Sequence, residues 1–169
     1  LYDNDYVYVA VNNYDTEPEK ITGRLSRKDR WMEAFDTHSD WVGIAFDSNN
    51  DDRTGYWFAV NPAGSRMDVY VSGEGMKAFN SSWDVVWEFK TARHDQGWSV
   101  EMKIPFSVFQ FDANKNEDWG FQISRYIHRL QEEVHWPGRS KGLSGFVPYL
   151  SLIHISEPTR RYAISYAVF

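Results

Sequence analysis

The chain contains no cysteine. That excludes a disulfide framework and thiolate chemistry, and it fits cytoplasm or periplasm equally. Net positive charge is also missing. Asp and Glu number 24 against 18 Lys and Arg, and the net charge of −6 argues against a nucleic-acid footprint. No apolar run approaches the ~20 residues of a membrane-spanning helix. There is no internal repeat and no linker. A signal peptide is absent, but the chain opens on Leu1 rather than Met and reads as truncated at its front. No motif selects catalysis either. Glycoside hydrolysis needs two carboxylates roughly 5–10 Å apart, and Glu88, Glu101, Asp68 and Glu132 fall into no such pattern. Zinc needs three or four convergent ligands, which the spacing of Asp36, His38, Asp40 and His135 does not supply. The expectation is a protein that is not an enzyme.

Aromatic residues are abundant, at 17% of 169 residues with eight Trp. Large flat side chains suit the space between packed sheets, and they also suit stacking on sugar rings. The chain is organised around Asp40 to Asp47 and Tyr56 to Asn61, two alternating segments flanking a tip rich in Asn, Asp and Gly. That is a β-hairpin signature, because those residues tolerate the left-handed backbone of a tight turn. Val42, Ile44 and Phe46, with Tyr56, Phe58 and Val60, form the core face. Further strands are expected at Asp5–Val11, Ser65–Val71, Trp87–Arg93, Trp98–Ile104 and Trp119–Ile127, with a short helix between Trp31 and Ser39. Met67, Val69 and Val71 share a face, as do Trp98, Val100, Met102 and Ile104. Short strands with turn signals between them indicate an all-β antiparallel β-sandwich, jelly-roll-like, in one domain spanning residues 1–149.

The face opposite the core carries the candidate ligand residues. Trp57, Asn61, Gln122 and Tyr126 project from it, with space left by Gly43, Ala45 and Ala59, and Trp136 or Trp31 closes from a loop. A pyranose would stack on Trp57 while Asn61 and Gln122 hydrogen-bond its hydroxyls. At the hairpin tip Asp47, Asn49, Asp51 and Asp52 gather oxygen ligands of the kind calcium favours, so a structural calcium is a second candidate. Arg24, Arg27, Lys28 and Arg30 form a basic loop that could meet an anionic partner.

Leu150 to Arg160 reads as a translated transposase sequencing adapter. Three residues then fill an index, and Ile164 to Phe169 resembles the translated primer segment that follows. Residues 150–169 are therefore expected to be a foreign tail without native packing.

Six stretches in order carry a resemblance: Leu25-Ser-Arg-Lys-Asp29, Asp40-Trp-Val-Gly-Ile-Ala-Phe-Asp47, Asp52-Arg-Thr-Gly-Tyr56, Val60-Asn-Pro-Ala-Gly64, Gly97-Trp-Ser-Val-Glu-Met-Lys-Ile-Pro-Phe106 and Trp119-Gly-Phe-Gln-Ile-Ser-Arg125. Together they resemble the family 9 carbohydrate-binding-module-like domain, in the version found at the front of bacterial outer-membrane β-barrel proteins. The resemblance runs from Leu1 to about Trp136. It implies a polysaccharide or oligosaccharide partner, a link to carbohydrate catabolism, and a periplasmic or outer-membrane-associated location. It also implies that the opening strands and downstream parts of the parent are missing. Docking onto the β-barrel of the same parent is the alternative role. Where the family carries an acidic residue and an Arg, this chain has Gly43 and Ala59, and only Asn61 of that clamp remains. The expected sugar affinity is accordingly weak, on the order of 0.1–1 mM.

Overall fold

The alternation along the chain becomes two antiparallel sheets. The computed structural model describes residues 1–73, 78–111, 118–138, 147 and 150, with the backbone of 151–154. In chain order the strands are β1 (Tyr6–Tyr14), β2 (Trp41–Asp47), β3 (Thr54–Val60), β4 (Arg66–Ser72), β5 (Phe79–Asn80), β6 (Glu88–His94), β7 (Gly97–Pro105), β8 (Asp118–Ile127), β9 (Glu132–Trp136) and β10 (Ser151–His154). A four-residue helix, α1 (Trp31–Ala34), precedes β2. The small sheet has the order β1-β7-β6, and the large one runs β10-β8-β2-β3-β4-β5. β9 lies along the same edge of β8 as β10, paired further down the strand. No helix among the described residues is long and apolar enough to cross a membrane.

Between the sheets, Val42, Ile44 and Phe46 of β2, Phe58 and Val60 of β3, and Trp98, Val100 and Met102 of β7 belong to one buried cluster. The register is the expected one, since a one-residue slip would turn every one of these side chains outward. Each contributes about 1.5–3 kcal/mol by leaving water. Seven strands cannot be covered by three, however. The far face of the large sheet carries a second cluster built from Trp41, Ala45, Trp57, Ala59, Met67, Val69, Val71 and Tyr126. Met67, Val69 and Val71 do share a face, and it is this outer one. Ala34 and Phe35, at the end of α1, cover it together with Ala78 and Val147.

One end of the sandwich is closed by charge. Arg125 of β8 donates to the Tyr14 carbonyl at 2.8 Å and reaches Asp15 at 3.6 Å, while Arg129 contacts Asp15 at 2.7 Å and Glu17 at 3.1 Å. Burial pushes the Asp15 carboxyl up, but hydrogen bonds from Arg129 and the Glu17 N–H, with the charges of both arginines, hold it below the usual carboxylate range.

The tail expectation meets a particular arrangement. The backbone of Ser151–His154 pairs with Phe121–Asp118, and Leu150 packs partly against the outer cluster. An open strand edge is a template for any extended segment, native or not. Residues 155–169 lie outside the described residues.

Candidate functional site

The outer face of β8, β2 and β3 gathers four aromatic rings. Trp41 stacks on Tyr126 at 6.0 Å with 11° between planes, and meets Trp57 edge-on at 5.8 Å. Trp31 of α1 rests across both indoles, 5.5 Å from Trp41 and 5.6 Å from Trp57. Two residues with left-handed backbone, Asp29 (φ 60°) and Asp36 (φ 46°), bracket this segment. The helix has no side-chain cap and is held instead by packing: Trp31 lies parallel to Phe35 at 6.0 Å, and Phe35 is buried. Trp31 remains half-buried, so its ring is the accessible part of the cluster.

The residues expected from sequence divide into three groups. Trp57, Tyr126, Gln122 and Trp31 do share the outer face, and Gln122 sits opposite Ala45 in the register. They are far less open than anticipated. Trp57 is only 7% exposed, because the space over Gly43 is filled by Trp57 itself; a Cβ at Gly43 would lie 2.4 Å from the indole nitrogen. Gln122 is buried too, and its Nε2 has no hydrogen-bond partner among the described residues. Asn61 requires a correction. It is fully buried, its Nδ2 donates to the carbonyls of Arg24 (2.7 Å) and Ala34 (3.0 Å), and its Oδ1 accepts from the N–H groups of Ala63 and Ser65. With both ends of the amide engaged, Asn61 locks a turn and has nothing left for a sugar hydroxyl. Trp136 requires another. Its register partner is Ile123, a core-side residue, so the pleat directs it to the opposite side of the sheet from Trp57. There it is 47% exposed and meets Phe121 edge-on.

The residues of the expected calcium set hold the hairpin tip together. Asp47 is buried and accepts the N–H groups of Asn49, Asp51 and Asp52 at 2.9–3.1 Å. Asp51 accepts those of Arg53 and Thr54, with the Thr54 hydroxyl on its other oxygen. These carboxylates cap the left-handed turn at Asn50 and Asp52. Among the described residues no group of three or more His, Cys, Asp or Glu is placed to hold a metal. Burial raises the Asp47 carboxyl above its ordinary range, with the nearby Asp51 charge adding to the rise despite the N–H donors.

Sequence reasoning missed β9, which brings Glu133 and His135 to the outer face opposite Tyr126 and Ser124. The signal was short: five alternating residues after Gln131, which takes φ 52°. Burial and the nearby carboxylates of Asp36, Glu133 and Asp40 raise the Tyr126 phenol, so this end of the aromatic cluster is acidic. The basic loop also separates into unlike parts. Lys28 turns inward to Asp68 at 2.9 Å and to Asp84, whereas Arg24 and Arg27 stay exposed.

These elements define an antiparallel β-sandwich with the fold of family 9 carbohydrate-binding modules. The chain is similar to a candidate carbohydrate-binding protein from Bacteroides uniformis, with a TM-score of 0.58 at 13% identity over 88% of this chain and 70% of that one. It is similar as well to a family 9 module from Caldicellulosiruptor kristjanssonii, solved with glucose (TM-score 0.53, 15% identity, 96% of this chain and 76% of that one). A family 9 module from the same organism, solved with cellotriose, gives a TM-score of 0.54 at 13% identity, over 99% of this chain and 77% of that one. At such identities the likeness is one of fold. No family model matches the chain, and no curated protein matches it in sequence.

Proposed function

We propose that this domain is a non-catalytic carbohydrate-binding module of a bacterial envelope protein, periplasmic or outer-membrane-associated, that serves carbohydrate catabolism by weak binding of oligosaccharide or polysaccharide. The observation behind the reading is the half-exposed Trp31 ring set over Trp41, Trp57 and Tyr126 on one sheet face. A sugar ring stacked there would gain about 1–2 kcal/mol, by analogy with aromatic pairs. The fold neighbours solved with glucose and cellotriose support the same ligand class. Calorimetric titration with cellotriose and xylotriose tests it. A dissociation constant on the order of 0.1–1 mM is expected, weakened at least about fivefold by Trp31→Ala, since that is what losing ~1 kcal/mol of stacking costs. If no glycan binds, the reading fails. The exposed Leu25 and Met32 beside the site would then point to docking on the β-barrel of the same parent.

A further inference from the structure

The loop before α1 is anchored unusually well for a segment that displays charge. The Arg24 N–H donates to Ser39 Oγ at 2.9 Å, and the Arg24 carbonyl accepts from Asn61 Nδ2 and from Ser65 Oγ. Ser26 N–H donates to Ser65 Oγ at 2.7 Å, Asp29 N–H to the Arg66 carbonyl at 3.2 Å, and Asp68 N–H back to Asp29. Lys28 is drawn in among Asp29, Asp68 and Asp84 and fixes the loop from below. The side chains left outward are Arg24, Leu25, Arg27, Arg30 and Met32, on a chain whose net charge is −6. Arg30 reaches Glu33 at 3.7 Å, whereas Arg24 and Arg27 form no ion pair among the described residues.

Position gives Arg24 its meaning. One amide group, Asn61 Nδ2, holds the carbonyls of both Arg24 and Ala34, so the Arg24 backbone lies beside the end of α1, the helix that carries the half-buried Trp31. Asn61 follows Val60, the register partner of Val42, and Trp41 is paired with Tyr126. Arg24 thus sits in the loop anchored at the end of β3, and Tyr126 is the ring of the cluster on β8, two strand spacings or about 10 Å from β3. The Tyr126 end is acidic through Asp36 and Glu133, and the Arg24 end is cationic.

We infer that the site takes an acidic oligosaccharide, one whose sugar units carry carboxylates, with Arg24 holding a carboxylate while the ring lies against Trp31. The inference rests on the carbohydrate reading and adds the ligand's charge and orientation. A guanidinium offers a planar pair of donors that matches a carboxylate. Because the backbone is already pinned, binding orders only one side chain and costs little entropy.

The test compares cellotriose with the β-1,4-linked glucuronate trimer on the full chain by calorimetry. The two share linkage and length and differ in a carboxylate for each hydroxymethyl group. At low salt the glucuronate trimer should bind about fivefold tighter, the scale of one exposed charge pair. The preference should vanish in Arg24→Ala and shrink toward 1 M salt, where the screening length falls to ~3 Å. Arg93→Ala on the small sheet should keep it. Arg24 is exposed and its hydrogen bonds here are backbone ones, so the variant should fold, which far-ultraviolet circular dichroism verifies. Equal affinity for the two trimers, or a preference that survives Arg24→Ala, overturns the inference and leaves carbohydrate binding standing. Failure of both trimers to bind removes the carbohydrate reading and this inference with it.

Discussion

Asn61 and Gly43 both bear on the outer face and act in opposite ways. Asn61→Ala strips two carbonyls and two N–H groups of their partner inside a buried turn. Leaving buried donors unmatched costs about 1–3 kcal/mol each, and partial relaxation should bring the total to about 3 kcal/mol in urea denaturation. Gly43→Ala fails for want of room: its methyl would press on the Trp57 indole. A loss of about 1–3 kcal/mol and a shift in Trp emission are expected. At the hairpin tip Asp47→Ala should lower stability by about 1–2 kcal/mol through loss of the cap, while millimolar calcium leaves the melting temperature of the natural sequence unchanged. A rise of several degrees with calcium would restore the metal reading. Alternation alone put Asn61 on the side of the sheet that α1 covers. Its role was not legible, because Ala34 and Arg24 are 27 and 37 residues away, and nothing local announces such partners.

Elements differ in how plainly they announce themselves. β2, β3 and β7 combine period-two alternation with Gly, Asn and Asp turns, so local propensity, pattern and burial agree and their register could be read directly. Face assignment for β4 was half legible. Met67, Val69 and Val71 had to lie together, but which side they faced depends on a second layer that no alternation encodes. β9 is exposed along most of its length and opens on two consecutive glutamates, Glu132 and Glu133, so no buried face marks it. Truncation after residue 149 removes a four-residue pairing at one sheet edge. The melting temperature should stay level or rise. A fall of several degrees, roughly 1 kcal/mol or more for a domain of this size, would mean that the segment belongs to the fold.

Across the whole molecule, the charge lock at one end of the sandwich ties stability to pH. The Asp15 carboxyl titrates below its unfolded value, so its contribution is fully present above about pH 4 and is lost as pH falls through the folded value. Asp40 runs the other way. Burial, first among its influences, raises its carboxyl, so its share is present at low pH and lost as pH rises through that raised value. The difference between the natural sequence and Asp15→Asn isolates the first effect. It should be about 3 kcal/mol near pH 7, because Arg125 is left buried without its carboxylate, and should shrink steadily below pH 4. A difference independent of pH would place the stabilisation in packing instead of charge.

The inner layer is sealed between two ladders of strands, whereas the outer layer is roofed by a four-residue helix and irregular chain. Amide hydrogen exchange should therefore separate them. Residues around α1 and along β9 should exchange through a partial opening well short of global unfolding, while β2, β3 and β7 hold out to the limit set by the whole domain. In that partly opened form Trp41 and Trp57 meet solvent with the sandwich intact. A ligand that binds the roofed state should slow exchange at α1, and one that needs the roof lifted should speed it.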